Sequence, residues 1–206
     1  MTETTVFVVD DDEAVRGALA LLLRSVGLKA MNFASGDAFL AALAPEWTGC
    51  VVLDIRMPGM SGLELHEKLV ERGCTLPVIF ITGHGDIAMA VRAMKSGAFD
   101  FIEKPFNDQD LLDRIHRALS SEADQRSRNQ LRGEVQERLQ QLTPREREIM
   151  SRIVDGQANK VIAIELGLSE RTVELHRAHV MDKMRASSVA ELVRLALLAD
   201  AESGAS

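Results

Sequence analysis

Residues 6–12 have the sequence VFVVDDD, in which four apolar residues are followed at once by three aspartates. A short apolar run that ends in a reactive side chain recurs in CVVLD at 50–54, VIFIT at 78–82 and FIEKP at 101–105. Runs this short are typical of buried parallel strands, and longer segments with helical spacing separate them. We therefore predict a doubly wound α/β domain built on a five-stranded parallel sheet.

The remaining elements of this domain follow from the spacing of apolar residues. Leu28–Phe33 is predicted to be the further strand. The predicted helices are Glu13–Val26, Leu63–Val70, Asp86–Met94 and Leu111–Leu119.

Length and composition suit a globular protein of one large domain or two ordinary ones. The chain has 206 residues, of which 46% are hydrophobic and 27% are charged. The formal net charge is −7, but residues 1–120 hold 11 basic and 17 acidic side chains, whereas residues 121–206 hold 13 and 14. The nearly neutral C-terminal part is compatible with nucleic-acid binding if its basic side chains share one face.

The sequence predicts neither a membrane protein nor a secreted one. Its apolar runs are all shorter than the about 20 residues of a membrane-spanning helix, and early acidic residues exclude a basic leader segment. We expect a cytoplasmic protein with no membrane partner. Cys50 and Cys74 match no metal-binding spacing, so we expect both to be reduced packing residues.

The reactive side chains at the strand ends are expected to meet. Carboxyl ends of parallel strands share one edge of a sheet, which brings Asp10–Asp12, Asp54, Thr82 and Lys104 together. Converging carboxylates repel unless a cation lies among them, and their oxygens suit Mg²⁺. Asp54 is then a candidate nucleophile for phosphoryl transfer, assisted by the Lys104 cation and the Thr82 hydroxyl. The alternative is that Asp10–Asp12 only cap a helix.

A polar segment follows the predicted domain, and its composition predicts a linker helix over residues 122–140. Its apolar residues at helical spacing are Leu131, Val135, Leu139 and Leu142. Two alternatives remain open for this helix: a solvated helix without a partner, and a short coiled coil between two copies of the chain.

Residues 143–199 are predicted to be all-helical, and they begin with a capping box formed by Thr143 and Glu146. Glycine and serine at the later helix boundaries indicate a helix-turn-helix. Its predicted parts are a helix over residues 158–166, a turn at Gly167 and a helix from Ser169 to about Met184.

Several motifs together resemble a known family. VVDDD, VVLDIRMPGMSGLEL, VIFITGHGD and FIEKPF resemble the receiver domain of two-component response regulators, over roughly residues 3–121. LTPREREIM and the helices after it resemble the LuxR-type helix-turn-helix, over roughly residues 139–204. The pairing is similar to the FixJ subfamily of the NarL/FixJ regulators. We accordingly divide the chain into a receiver domain (1–121), a linker helix (122–140) and a DNA-binding domain (141–206).

The resemblance implies a cofactor and a partner for the acidic residues. In such receivers the residue matched by Asp54 accepts a phosphoryl group from a histidine kinase. The resemblance also implies that Asp11, Asp54 and the backbone carbonyl of Arg56 bind Mg²⁺, with Asp10 helping through water.

The resemblance further assigns residues to the response to phosphorylation. Thr82 and Lys104 match residues that bind the phosphoryl group, and the Lys104–Pro105 peptide bond is expected to be cis. Phe101 matches an aromatic switch residue, and the alternative for it is a plain core residue. The surface formed by residues 87–119 matches one that dimerises after phosphorylation.

A helical wheel of residues 170–184 separates a core face from an exposed face. The core face carries Val173, Val180 and Met184, and the opposite face carries Arg171, Leu175, Ala178 and Asp182. In a helix-turn-helix the second face enters the major groove. The predicted base contacts are Glu174, Leu175 and Ala178, and the predicted phosphate contacts are Lys160, Arg171, Thr172, His176 and Lys183. An ordinary helical bundle with a solvated charged face is the alternative.

We therefore predict a transcriptional regulator that is activated by phosphorylation and is not an enzyme. The expected partners are a histidine kinase, double-stranded promoter DNA and, after phosphorylation, a second copy of the chain, with RNA polymerase as a further candidate. One alternative is a phosphatase or phosphotransferase in which Asp54 turns over a small substrate. A second alternative is an adaptor whose C-terminal domain binds protein instead of DNA.

Overall fold

The computed structural model describes residues 4–83 and 87–200, which fall into two compact units, one up to Arg126 and one from Ser127. The first unit contains a parallel sheet with the strand order β2-β1-β3-β4-β5. The strands are β1 (Thr5–Val9), β2 (Lys29–Phe33), β3 (Gly49–Asp54), β4 (Val78–Thr82) and β5 (Asp100–Glu103). This sheet confirms the predicted doubly wound fold.

Helices connect the strands and follow the last of them. They are α1 (Glu13–Ser25), α2 (Gly36–Ala42), α3 (Gly62–Glu71), α4 (Ile87–Lys95) and α5 (Asp108–Gln140). Helix α2 is absent from the predicted helices, because its seven residues give only about two turns of helical spacing. The predicted start of α4 at Asp86 lies outside the described residues.

Side chains of β1 enter two separate cores, one on each face of the sheet. Phe7 and Val9 belong to the core that includes residues of α2 and α3, and Val6 and Val8 belong to the core that includes residues of α1 and α5. All four side chains are buried. Trp47 stacks on Phe7 with ring centroids 4.3 Å apart and so extends the first core. Residues 6–9 of the strand are therefore all apolar, as expected for a central strand covered on both faces.

The second unit contains the C-terminal part of α5 and four helices after it. They are α6 (Pro144–Val154), α7 (Asn159–Leu166), α8 (Glu170–Met184) and α9 (Val189–Asp200). The predicted capping box is present: Thr143 Oγ1 accepts from the Glu146 N–H at 3.3 Å, and the Glu146 carboxylate accepts from the Thr143 N–H at 2.8 Å. Gly167 ends α7 in the left-handed conformation, and Ser169 caps α8.

The C-terminal part of α5, from residue 127, packs within the second unit. Val135 is fully buried and Leu142 is 3% exposed, both in one cluster with α6, α7, α8 and α9 residues. Arg132 Nε donates to the carbonyl of Leu198 at 3.1 Å. The alternative of a solvated helix without a partner is therefore wrong for this segment. The apolar stripe that a coiled coil would use is largely occupied inside the chain.

Helix α3 begins in close contact with the end of β3. The Gly62 N–H donates to the carbonyl of Ile55 at 2.9 Å. A Cβ atom at Gly62 would lie 2.2 Å from the carbonyl oxygen of Asp54, closer than two atoms can approach. The absence of a side chain at Gly62 thus lets the helix start against the strand end.

We expect Gly62→Ala to destabilise the first unit by about 1–3 kcal/mol, because the added methyl group must displace the backbone at Asp54. Gly17→Ala is the matched control, since Gly17 is exposed on α1 with no atom within 4 Å of the added Cβ. It should leave stability unchanged or raise it by about 0.5–1 kcal/mol. Urea unfolding followed by the fluorescence of Trp47, the one tryptophan, measures both. Equal unfolding midpoints for Gly62→Ala and wild type would contradict the clash.

Candidate functional site

Strand register brings the predicted reactive residues to one edge of the sheet. Because Val9 pairs with Leu53, Asp10 follows β1 beside Asp54 at the end of β3. Lys104 follows β5 directly and reaches both acids. Its Nζ lies 2.8 Å from Oδ1 of Asp54 and 3.2 Å from Oδ2 of Asp10. One ammonium group therefore joins two carboxylates that are themselves almost fully buried.

Backbone N–H groups hold the second oxygen of each carboxylate. Oδ2 of Asp54 accepts from the Arg56 N–H at 2.7 Å, and Oδ1 of Asp10 accepts from the Asp12 N–H at 2.8 Å. Each buried carboxylate thus has one hydrogen bond to Lys104 and one to the backbone. Hydrogen bonds on both oxygens fix the orientation of the two groups and offset part of the cost of burying them.

The three consecutive aspartates have three different environments. Asp12 caps α1, and its carboxylate accepts from the Ala14 N–H at 2.8 Å. Asp11 is exposed beside the site, and Asp10 is only 2% exposed. The alternative that these acids only cap a helix therefore holds for Asp12 and is wrong for Asp10.

Burial and charge act in opposite directions on this site. Burial raises the pKa of the Asp54 carboxyl above its ordinary value, with a further rise from Asp10 and partial compensation by the hydrogen bond and charge of Lys104. Burial alone would lower the pKa of Lys104, but its contacts with Asp54 and Asp10 outweigh burial and raise that pKa. Two carboxyl groups therefore share the positive charge of Lys104, and Lys104 stays protonated.

The donor set fits a hard divalent cation. Two buried carboxylates share the ammonium group of Lys104, and Asp11, which is exposed, follows Asp10 in sequence. All the candidate ligands are oxygens, which is the set that Mg²⁺ prefers. Additional positive charge at this edge would compensate the excess of acid.

Thr82 and Phe101 lie on the two strands nearest to Lys104. Thr82 is buried, and its hydroxyl donates to the carbonyl of Ile102 at a long 3.4 Å. The Lys104 N–H donates to the Thr82 carbonyl at 2.8 Å, and the bond before Pro105 is cis as the resemblance implied. Phe101 is 37% exposed, so the alternative of a plain core residue is wrong.

Helix α8 presents the two faces that the helical wheel predicts. Val173, Val180 and Met184 are fully buried. On the opposite face Leu175 is 57% exposed. The other exposed candidates for DNA contact are Lys160, Arg171, Glu174 and Ala178. Thr172 is half-buried, with its hydroxyl 2.7 Å from that of Ser169.

Comparison with known proteins identifies both units. Residues 6–116 match the response regulator receiver domain, and residues 140–196 match the bacterial regulatory proteins of the LuxR family. The chain is 51% identical over 194 residues to the transcriptional regulatory protein FixJ of Azorhizobium caulinodans, covering 94% of this chain and 92% of that one. The chain belongs to the response regulator family.

Other relatives of this response regulator agree over nearly its full length. Nodulation protein W of Bradyrhizobium diazoefficiens is 46% identical, with 94% of this chain and 86% of that protein covered. The solved structure of the response regulator StyR matches with a TM-score of 0.85 at 46% identity, covering 95% and 98% of the two chains. Full-length FixJ from B. japonicum matches with a TM-score of 0.61 at 42% identity, covering 98% and 99%.

These relatives decide between the functions considered from the sequence. The response regulator combines a receiver domain with a LuxR-type DNA-binding domain. A histidine kinase is the partner of a receiver domain. It is a transcriptional regulator and not an enzyme, which removes the phosphatase and the adaptor alternatives. Receiver domains generally bind Mg²⁺ at their phosphorylation site. Across residues 4–83 and 87–200, every helix is too short or too polar to cross a membrane.

Two of the residues predicted to contact phosphate, Lys183 and His176, are partly buried within the protein. Lys183 Nζ lies 2.6 Å from Oε2 of Glu146, so its charge is paired. His176 is half-buried, and its Nδ1 is buried with no hydrogen-bond partner in the described part of the chain. The sequence predicts Glu146 only as part of a capping box. It does not predict the contact of Glu146 with Lys183, because the two residues lie on different helices and are 37 residues apart in sequence.

Glu146 is strongly acidic in the folded response regulator. The hydrogen bond from Lys183, followed by that from the Thr143 N–H, lowers the pKa of its carboxyl from 4.5 to about 2. The folded state therefore binds this proton more weakly than the unfolded state does. The resulting stabilisation is present above the unfolded pKa of 4.5 and is lost as the pH falls towards 2.

We expect the stability of the second unit to fall between about pH 5 and about pH 2 in wild type, and Glu146→Gln to remove much of that dependence. At neutral pH the substitution should cost about 1–3 kcal/mol, since a charged hydrogen bond is lost. Hydrogen exchange of the α6 amides, in buffer with a chelator, reports this unit alone. Glu148→Gln, on the exposed side of the same helix, is the control. An unchanged pH dependence in Glu146→Gln would show that another group titrates.

Proposed function

We propose that this response regulator is switched on by phosphorylation of Asp54 by a histidine kinase, with Mg²⁺ bound at the same site. The observation that supports this most strongly is the position of Lys104, whose ammonium group contacts both Asp54 and Asp10. A buried, oriented carboxylate beside a fixed cation is what phosphoryl transfer to aspartate requires.

In the proposed transfer Asp54 needs no general base, because its carboxylate is the nucleophile. One of its oxygens forms a bond to phosphorus while the bond from phosphorus to the kinase imidazole nitrogen breaks, and that nitrogen keeps the electron pair. Lys104 moves from the carboxylate to the phosphoryl oxygens and compensates their charge. The Arg56 N–H keeps the other oxygen of Asp54 in place.

Four groups would hold Mg²⁺ at this site: the carboxylates of Asp10, Asp11 and Asp54 and the backbone carbonyl of Arg56. When bound, the ion supplies positive charge to the phosphoryl oxygens. The Asp10 carboxylate accepts from the Asp12 N–H, and Asp11 is exposed. Lys104 has contacts with two acids, so it can remain bound to Asp10 as Asp54 changes partner.

The switch proposed for the receiver begins at Thr82. Among the described residues its hydroxyl has only the long 3.4 Å bond to Ile102, which a phosphoryl oxygen can replace at little cost. Movement of Thr82 leaves room for the exposed ring of Phe101 to turn inward. Val91 and Met94 are also exposed at 48% and 41%, so the α4 and β5 surface carries apolar area suited to dimerisation.

The proposed output is promoter binding by a dimer. Helix α8 would enter the major groove with Glu174, Leu175 and Ala178 towards the bases and with Arg171 and Lys160 towards phosphates. Few of the predicted contacts are basic, and Lys183 is already paired with Glu146. A single copy should therefore bind weakly, and two half-sites should be needed. RNA polymerase is the expected downstream partner in the cytoplasm.

Treatment with Mg²⁺ and a small-molecule phosphodonor should convert wild type to a dimer that binds promoter DNA at least about tenfold more tightly, which is about 1.4 kcal/mol. Asp54→Asn should show neither change, and Asp37→Asn, an exposed acid on α2, should behave as wild type. Analytical ultracentrifugation and DNA titration measure the two effects. Full dimerisation and DNA binding by treated Asp54→Asn would disprove control through Asp54.

Arg171→Ala and Leu175→Ala should weaken DNA binding in different ways. Loss of a phosphate contact at Arg171 should weaken binding to all sequences and reduce the slope of log K against log salt by about 1. Loss of the Leu175 side chain should leave that slope unchanged and relax base preference, at about 1–3 kcal/mol. Titrations over a salt series, with specific and unrelated duplexes, separate them. A changed slope in Leu175→Ala alone would reverse the assignment.

A further inference from the structure

Three side chains in the second unit combine metal-ligating groups outside the proposed phosphorylation site. Glu146 lies in the first turn of α6, and His176 and His179 lie on α8. A spacing of three residues places both imidazoles on one side of the helix. One ligand atom from each of the three residues lies within 4.8 Å of the others, and His179 Nδ1 is 3.7 Å from Oε1 of Glu146.

The two oxygens of Glu146 have different partners. Oε2 accepts from the Thr143 N–H at 2.8 Å and from Lys183 at 2.6 Å. Oε1 faces His179. The carboxylate can therefore bind a cation through Oε1 and keep both the helix cap and the Lys183 contact through Oε2.

His176 supplies a second, independent observation. Its Nδ1 is buried and has no hydrogen-bond partner among residues 4–83 and 87–200. Buried polar nitrogens normally have a partner, and leaving one without any costs about 1–3 kcal/mol. Within the described part of the chain the half-buried imidazole of His176 thus lacks the Nδ1 hydrogen bond that would usually orient a purely structural histidine.

We propose that Glu146, His176 and His179 form a binding site for a divalent transition metal ion, with Zn²⁺ as the expected occupant. Two imidazoles and one carboxylate are a ligand set typical of Zn²⁺, and three protein ligands leave a fourth position for water. His179 is exposed over 53% of its side chain, so solvent can reach that position. The ion would tie the start of α6 to the middle of α8.

The geometry requires a modest closure around the ion. Bonds of about 2.0–2.2 Å in a tetrahedral site place ligand atoms about 3.3–3.6 Å apart, compared with the present limit of 4.8 Å. His179 can supply most of this movement because it is the exposed member and can change rotamer. Glu146 and His176 are held by packing and can stay in place.

One neighbouring charge opposes cation binding. The ammonium group of Lys183 is bonded to the same carboxylate, and its repulsion weakens the site. Replacing Lys183 should therefore tighten metal binding, whereas replacing a ligand should weaken it. A purely structural role for the three residues predicts no such opposite effects.

The test uses the untagged full-length protein and Co²⁺, which gives intense visible absorption when imidazoles and a carboxylate bind it in a four-coordinate site. Excess Mg²⁺ occupies the oxygen site at Asp54. We expect one equivalent of Co²⁺ to produce the visible bands and Zn²⁺ to displace it. His179→Asn should weaken binding more than about tenfold, since even residues that only orient metal ligands are worth about 10- to 100-fold. Lys183→Gln should bind severalfold more tightly.

His116→Asn, an exposed histidine on α5 in the first unit, is the matched control and should bind like wild type. Because His179 is exposed, its replacement should leave the fold intact, which hydrogen exchange of α6 and α8 verifies. In wild type Zn²⁺ should also slow that exchange, and in His179→Asn it should not. Failure of Co²⁺ to give visible bands, or bands that survive both His176→Asn and His179→Asn, would overturn the proposed site. None of these readouts depends on phosphorylation or DNA.

Discussion

The contact of one ammonium group with two buried carboxylates governs the organisation of the receiver. Asp10 and Asp54 are almost fully buried, and Lys104 brings a positive charge into contact with both carboxyl groups. The three residues come from chain positions far apart, so the contact exists only when the central and outer strands adopt one register. The packing of two apolar cores against the sheet supplies the stability that keeps this arrangement of charges in place.

Much of the receiver could be predicted because its strands and its reactive residues coincide in the sequence. Apolar runs such as VFVV can be buried on both faces only in a covered parallel sheet, and the sheet then determines which residues share an edge. The different environments of the three neighbouring aspartates were harder to predict: Asp10 is buried beside Lys104, Asp11 is exposed and Asp12 caps α1. That difference depends on where the chain turns after β1, which residue spacing does not specify. Helix α2 was not predicted, because seven residues are too few to show a helical period in the apolar positions.

In the second unit the predictions from local sequence succeeded and those that needed tertiary contacts did not. Caps and turns depend on neighbouring residues, so the capping box and the left-handed Gly167 follow from the sequence alone. The pairing of Lys183 with Glu146 joins two helices, and a helical wheel of α8 shows only that Lys183 is near a polar side. The polar segment before α6 likewise has few apolar residues, yet burial of Val135 is enough to attach it to the helices that follow. Such contacts become visible only when neighbouring elements are known.

The shared oxygen of Glu146 makes the DNA-binding unit more cooperative than its separate helices would be. Oε2 takes part both in the local cap of α6 and in the long-range contact with α8. Fraying of the first turn of α6 would therefore weaken one contact with α8, and detachment of α8 would weaken the cap. The two events are coupled, which lowers the population of partly ordered states of α8. A recognition surface with few alternative conformations loses less entropy when it meets its target.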